Sequence, residues 1–110
     1  MKKDPNIFIK HIYDSIVEIE NHTAGISPEA FLRDVKTQDA VVRRIEIIGE
    51  AAKNLPADFI KKHSHIQWAE IGGMRNKLIH EYFGVDLNLV WEVVKRDIPP
   101  LKDKITKLLQ

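Results

Sequence analysis

The chain has 110 residues, of which 44% are hydrophobic, and its 17 Lys and Arg against 16 Asp and Glu give a formal net charge of +1. This length predicts one domain over residues 1–110, with a hydrophobic core that a partner subunit would stabilise further. The absence of cysteine excludes disulfides and thiolate sites, and the near-neutral charge excludes a chain-wide basic surface, so any site for a polyanion must be local.

Apolar residues at three- and four-residue spacing predict helices along almost the whole chain, without the alternation typical of strands. Asp4-Pro5 is an N-cap followed by a first-turn proline, so the first helix is expected over about 4–22, with Gly25 at its exit. Ser27-Pro28 repeats this pattern and predicts a short helix to about Arg33.

The third predicted helix begins near Thr37 or Gln38 and ends at Leu55-Pro56, and its apolar stripe is wide enough to indicate burial on more than one side. A one-turn helix is expected over about 57–62. The next helix is expected to begin near Gln67 or Trp68 and to end at Gly84, which suits a left-handed C-terminal cap.

Asp86 predicts the start of the last long helix, and Pro99-Pro100 predicts a break or kink in it, because proline lacks an amide donor and disfavours helical geometry in the residue before it. A final helical segment is expected over 101–109. The fold class is therefore all-α: an antiparallel bundle of four principal helices with additional short ones. The apolar stripe around Ile45–Ile48 and the glycine pair Gly72-Gly73 exceed what one small bundle is expected to bury, which predicts at least a dimer.

The segment from Arg75 to Tyr82 reads Arg-Asn-Lys-Leu-Ile-His-Glu-Tyr, an R-x4-H-x-Y spacing. Arginine offers phosphate a permanent cation with a planar fork of donors, and histidine is the side chain best suited to transfer protons near neutral pH. These are the groups that phosphodiester cleavage requires, so a ribonuclease is the leading hypothesis. Asn76 would bind phosphate or orient His80, or it is a structural residue of the helix surface.

Each motif residue also has a structural interpretation. Arg75 could pair with Glu46, Glu50 or Glu81, while His80 could be a hydrogen-bonded interior histidine and Tyr82 a core residue. A metal site at His63-x-His65 is disfavoured, because alternate residues of a loop do not converge as a helical i,i+4 histidine pair does. No metal or other cofactor is therefore expected.

Three stretches, Val41–Lys53, Trp68–Tyr82 and Val90–Leu101, resemble the HepT-like branch of the HEPN superfamily, and the resemblance extends over nearly the full chain. It implies a dimeric all-α bundle and a metal-independent ribonuclease toxin, paired with a minimal nucleotidyltransferase as antitoxin. It carries over Arg75 and His80 as the catalytic pair and Tyr82 as the hydroxyl that the antitoxin adenylylates. The alternative is a non-catalytic helical adaptor that binds the nucleotidyltransferase.

On one continuous helix, Arg75 and Tyr82 would lie about 20° apart and His80 about 140° from Arg75. The arginine side chain then reaches round the helix, or the helix is irregular, or the pair forms between protomers. A cytoplasmic location is expected, since no apolar run approaches the roughly 20 residues of a bilayer span and no targeting segment precedes the first helix.

Overall fold

The computed structural model describes residues 4–80 and 84–109, with only the backbone of His80. Helices dominate it, which confirms the all-α class; one antiparallel pair of two-residue strands is the exception. In chain order the elements are α1 (Pro5–Thr23), α2 (Pro28–Phe31), α3 (Val35–Lys53), α4 (Ala57–Lys62), α5 (Trp68–Gly72), α6 (Met74–Lys77), β1 (Ile79–His80), β2 (Gly84–Val85), α7 (Leu87–Glu92), a π-helical segment (Val93–Asp97) and α8 (Ile98–Leu108).

The first helices begin where their capping residues place them. The Asp4 side chain accepts a hydrogen bond from the Asn6 amide at 3.0 Å, and the Ser27 hydroxyl oxygen accepts one from the Ala30 amide at 3.1 Å. Helix α3 begins earlier than predicted, because Asp34 caps it by accepting from the Thr37 amide at 3.2 Å.

Helix α1 packs mainly against α3, and both contribute apolar stripes to a single core. Helices α5 and α6 cover one side of α3, while α8 packs on α1. The fully buried aliphatic side chains of α1 and α3 are Ile9, Ile12, Ile16, Ile19, Val41, Ile45 and Ile48. Within the described ranges, none of the helices combines the length and apolarity that a bilayer span requires.

Most of the apolar features that favoured a dimer lie inside one chain, whereas Ile47 is partly exposed and lies outside the core cluster. Ile45 and Ile48 are 0% exposed without any partner subunit, and Gly72 packs against α3 of the same chain. The stripe is buried because α3 is covered by α1 on one side and by α5 and α6 on another. Dimerisation therefore remains a prediction without this support.

The two prolines near the C-terminus cause a local widening of the helix. Helix α7 continues through the π-helical segment into α8, and the Ile98 amide donates to the carbonyl oxygen of Val93, five residues back. Pro99 and Pro100 thus fall in the first turn of α8, where a missing amide donor leaves little unsatisfied.

The predicted helix from Gln67 or Trp68 to Gly84 is wrong. It is replaced by α5, α6 and the strand pair, in which Ile79 lies opposite Val85 and His80 opposite Gly84. Helix α6 ends because the carbonyl oxygen of Leu78 accepts from the Asp86 amide at 2.7 Å, a partner eight residues on. Gly84 has the expected positive φ, +80°, but it lies in the strand pair and does not cap a helix.

Candidate active site

The R-x4-H segment is fixed to the core by the residues around it. Trp68, Ile71, Met74 and Leu78 are all buried, at three- and four-residue spacing. The Trp68 indole also donates to the carbonyl oxygen of His63 at 3.1 Å. With these side chains turned inward, Arg75, Asn76 and Lys77 are all exposed.

Arg75 makes an ion pair with Glu46 on α3. Its Nε lies 3.0 Å from the Glu46 Oε2, and the two side chains are 49% and 31% exposed. Of the two proposed partners that the structure describes, Glu46 and Glu50, Glu46 is the one that pairs with Arg75. The contact is at Nε, the inner nitrogen of the guanidinium, so the terminal nitrogens form its outer end.

A glycine contact between α3 and α5 determines where this ion pair forms. A Cβ atom added to Gly49 would lie 3.2 Å from the carbonyl oxygen of Gly72, and one added to Gly72 would lie 3.2 Å from Cγ of Lys53. Glu46 precedes Gly49 by three residues, and Arg75 follows Gly72 by three. The close backbone approach therefore brings the two charged side chains within reach of each other.

The structure describes the other predicted site residues only in part. Asn76 is exposed on α6 beside Arg75, and His80 lies in β1, where only its backbone is described. Tyr82 and the alternative partner Glu81 lie outside the described residues. Helix α6 ends at Lys77, so the angles that one continuous helix would give between Arg75, His80 and Tyr82 do not apply. Of the three alternatives for bringing Arg75 and His80 together, the structure shows an irregular helix.

Two adjoining grooves run between the motif segment and the C-terminal helices. Their volumes are about 200 and 260 Å³, and both are lined by Lys77, Arg96 and Asp97. The first groove also contains Lys104 and Glu70, so its walls carry both signs of charge. Lys77 was not singled out from the sequence as a site residue, although it lies two residues after Arg75 in the motif.

Other basic residues of the C-terminal helices have structural partners. The Lys102 ammonium donates to Glu20 on α1 at 2.9 Å, and the Lys95 ammonium lies 4.8 Å from the centre of the Trp91 ring. The hydrogen bond to Glu20 is the main reason that the pKa of Lys102 is raised. These two lysines therefore support packing of the bundle.

The His63-x-His65 pair does place its rings near each other, with centres 6.0 Å apart in an edge-on arrangement. His63 also packs against the Phe59 ring, with centres 4.5 Å apart. Among the side chains that the structure describes, no group of three or more His, Asp or Glu is arranged to hold a metal ion.

Sequence comparison places the chain among known proteins. Residues 12–108 match the family described as "Ribonuclease HepT-like". The chain is 53% identical over its full length to "Gamma-glutamylcyclotransferase and putative RNase" of Methanocaldococcus jannaschii, and it spans 50% of that protein. It is 51% identical over 98% of its length to "Probable ribonuclease HepT" of Thermococcus cleftensis, covering 98% of that protein.

A third relative is "Putative RNase" of Caldanaerobacter subterraneus, which is 45% identical over 98% of the chain and is itself 96% covered. No solved structure matches the chain. The relatives therefore include a longer protein, half of which corresponds to this chain, and two proteins of nearly the same extent.

Proposed function

Because the chain belongs to the HepT-like ribonuclease family, we propose that it is a metal-independent endoribonuclease that cleaves RNA through Arg75 and His80 at the cleft of a homodimer. The observation that carries the proposal is the exposed Arg75, whose Nε pairs with Glu46 and which is followed in the chain by the exposed Asn76 and Lys77. An arginine with its terminal nitrogens outward suits a phosphate.

RNA cleavage without a metal needs a base for the ribose 2′-OH, stabilisation of charge on the phosphoryl oxygens and an acid for the leaving 5′ oxygen. His80 supplies the proton transfer and Arg75 the charge, while Asn76 binds or orients the phosphate. One histidine does not easily serve as base and acid in one step. A two-fold dimer with two copies of His80 in one cleft supplies both groups.

The chain's local charges support binding of RNA near the motif. Lys77, Arg96 and Lys104 line the grooves beside α6, and each would contact a phosphate without reading the base. Contacts of these cations with phosphate make the affinity dependent on salt, and Glu70 and Asp97 in the same walls limit it by repulsion. The near-neutral net charge fits a short local contact with RNA.

The proposed biological role is that of a cytoplasmic toxin whose antitoxin is a minimal nucleotidyltransferase that adenylylates Tyr82. The support for this role is the family membership and the spacing of Tyr82, two residues after His80. An adenylyl group on that hydroxyl adds bulk and a negative phosphate next to the proposed catalytic histidine.

Cleavage of a defined RNA by wild type, His80→Ala and His65→Ala tests the nuclease proposal. His65 is an exposed histidine outside the motif and is the matched control. We expect wild type and His65→Ala to cleave in the presence of a chelator, leaving a 2′,3′-cyclic phosphate and a 5′-hydroxyl, and His80→Ala to be inactive. Full activity of His80→Ala, or loss of wild-type activity with chelator, contradicts the mechanism.

A further inference from the structure

The ion pair between Arg75 and Glu46 is in a poor position to stabilise the fold. Both side chains are partly exposed, at 49% and 31%, and exposed pairs of this kind contribute little to the free energy of unfolding. Solvent screens their attraction, and ordering two flexible side chains costs conformational entropy. The contact therefore calls for another role.

The geometry of the contact restricts what Arg75 can do. A free arginine at a surface samples many rotamers, whereas a carboxylate 3.0 Å from Nε favours those that keep the inner edge of the guanidinium against α3. The two terminal nitrogens then form the outer end of the side chain. Those nitrogens can pair with two phosphate oxygens at once.

The backbone beneath the pair is equally restricted. A Cβ on Gly49 would lie only 3.2 Å from the Gly72 carbonyl oxygen, and the charged residues lie three positions from each glycine. Glu46 therefore sits on a helix whose distance from α5 is limited by a close backbone contact. A carboxylate fixed in this way can hold a side chain in one orientation.

We infer that Glu46 is a positioning residue for Arg75, which orients the guanidinium so that its terminal nitrogens meet the phosphate of bound RNA. The inference rests on the proposed function and deepens it by adding a residue on α3 to the site. Glu46 acts through Arg75 and does not itself contact the substrate. Its loss should lower turnover more than binding, because RNA affinity is shared among many phosphate contacts.

The experiment compares Glu46→Gln with the matched control Glu20→Gln. Glu20 forms a similar ion pair with Lys102, at 2.9 Å with 41% and 34% exposure, at the contact of α1 with α8. We expect Glu46→Gln to lower kcat by roughly 10- to 100-fold with little change in KM, as a misplaced reacting group does. Glu20→Gln should keep wild-type kcat, and both variants should unfold at nearly the wild-type temperature.

Introducing Glu46→Gln into Arg75→Lys, which is expected to keep measurable cleavage, separates positioning from other effects, since little further loss of kcat is expected once the guanidinium is absent. The inference is overturned if Glu46→Gln and Glu20→Gln lower kcat equally or if the Glu46 and Arg75 losses multiply. It is also overturned if Glu46→Gln cleaves faster or binds RNA more tightly, because Glu46 would then compete with phosphate for Arg75.

A second measurement decides the inference even if the wild-type protein does not cleave RNA. The Nε–Hε NMR signal of Arg75, assigned by its loss in Arg75→Lys, reports the surroundings of the nitrogen that Glu46 approaches. In the free protein we expect Glu46→Gln to shift this signal and to speed its exchange with solvent. An unchanged signal overturns the positioning role, whereas absent cleavage with a shifted signal counts only against the nuclease proposal.

Discussion

Gly49 and Gly72 join α3 to α5 through a backbone contact in which a Cβ on Gly49 would lie only 3.2 Å from the Gly72 carbonyl oxygen. A backbone oxygen held in a helix cannot move aside as a flexible side chain does. We therefore expect Gly49→Ala to push the helices apart and to cost about 1–3 kcal/mol in strain. The higher helix propensity of alanine offsets about 1 kcal/mol of this.

Gly73→Ala is the matched control, because an added Cβ there would lie 3.4 Å from its nearest neighbour, the Ala69 carbonyl oxygen, an ordinary contact. Chemical denaturation of both variants measures the difference. We expect Gly49→Ala to be the less stable of the two and to lower RNA cleavage as well, since it widens the gap between Glu46 and Arg75. Equal stability of the two variants would show that the α3–α5 contact adapts.

The second prediction concerns the shape of the cation at position 75. Arg75→Lys keeps the charge but replaces a planar fork by a point charge, so it loses paired contacts to the phosphoryl oxygens. We expect kcat for RNA cleavage to fall on the order of 100-fold, the scale for loss of one donor to a developing oxyanion. Arg33→Lys, on an exposed arginine outside the motif, serves as the control. Near-wild-type turnover of Arg75→Lys would mean that charge alone suffices.

The third prediction is a pH dependence that originates at the N-terminus of α3. The Thr37 hydroxyl donates to Asp34 at 2.7 Å and the Thr37 amide donates at 3.2 Å. These bonds lower the pKa of Asp34 below its usual 3.8, the hydroxyl being the larger cause. Because the folded-state pKa is the lower one, the stabilisation is complete above about pH 3.8 and is lost as the pH falls through the folded-state value.

Asp34→Asn should therefore unfold at a lower temperature than wild type at neutral pH and should approach wild type in acid. Asp39→Asn removes another exposed carboxylate of α3 and is the control. Thermal unfolding followed by circular dichroism from neutral pH down to acid checks the prediction. If the difference between wild type and Asp34→Asn is the same at every pH, the ionised carboxylate is not its origin.

The sequence predicted those parts of the fold that depend on neighbours along the chain. Asp4, Ser27 and Asp86 each cap a helix by accepting a hydrogen bond from an amide two or three residues on. The local sequence was therefore enough to predict where these helices begin. The end of α6 depends instead on Leu78 and Asp86, whose bond spans eight residues and carries no helical or strand signature.

Prediction of the site from sequence is limited in the same way, because it too depends on contacts between distant parts of the chain. Residue types in the motif predicted that Arg75 binds phosphate, and the sequence offered three carboxylates as its possible partners. Arg75 can pair with Glu46 because Gly49 and Gly72 are in contact. These two glycines are far apart in sequence, and the sequence alone does not show that they meet. The two glycines at 72 and 73 were a valid signal of close approach, but the sequence did not show that the approach lies within one chain.

The fourth prediction is that Tyr82 is the modified residue. Incubation with the nucleotidyltransferase partner and ATP should add AMP units to wild type, as read by intact mass, and should abolish RNA cleavage without unfolding the protein. Tyr82→Phe should gain no mass and stay active. The chain has two tyrosines, so Tyr13→Phe, which keeps Tyr82, is the matched control and should behave as wild type. Equal mass gain and silencing of Tyr82→Phe would exclude this hydroxyl as the switch.

The last prediction is that the active form is a dimer whose cleft contains both copies of the proposed pair. Sedimentation at micromolar concentration should give twice the chain mass. If each cleft draws on two protomers, mixing Arg75→Ala with His80→Ala chains yields hybrids that retain one intact arginine and one intact histidine. We expect such mixtures to cleave RNA measurably, while either variant alone does not. A monomer in sedimentation, or inactive mixtures in which subunit exchange is demonstrated by mass, would contradict the shared cleft.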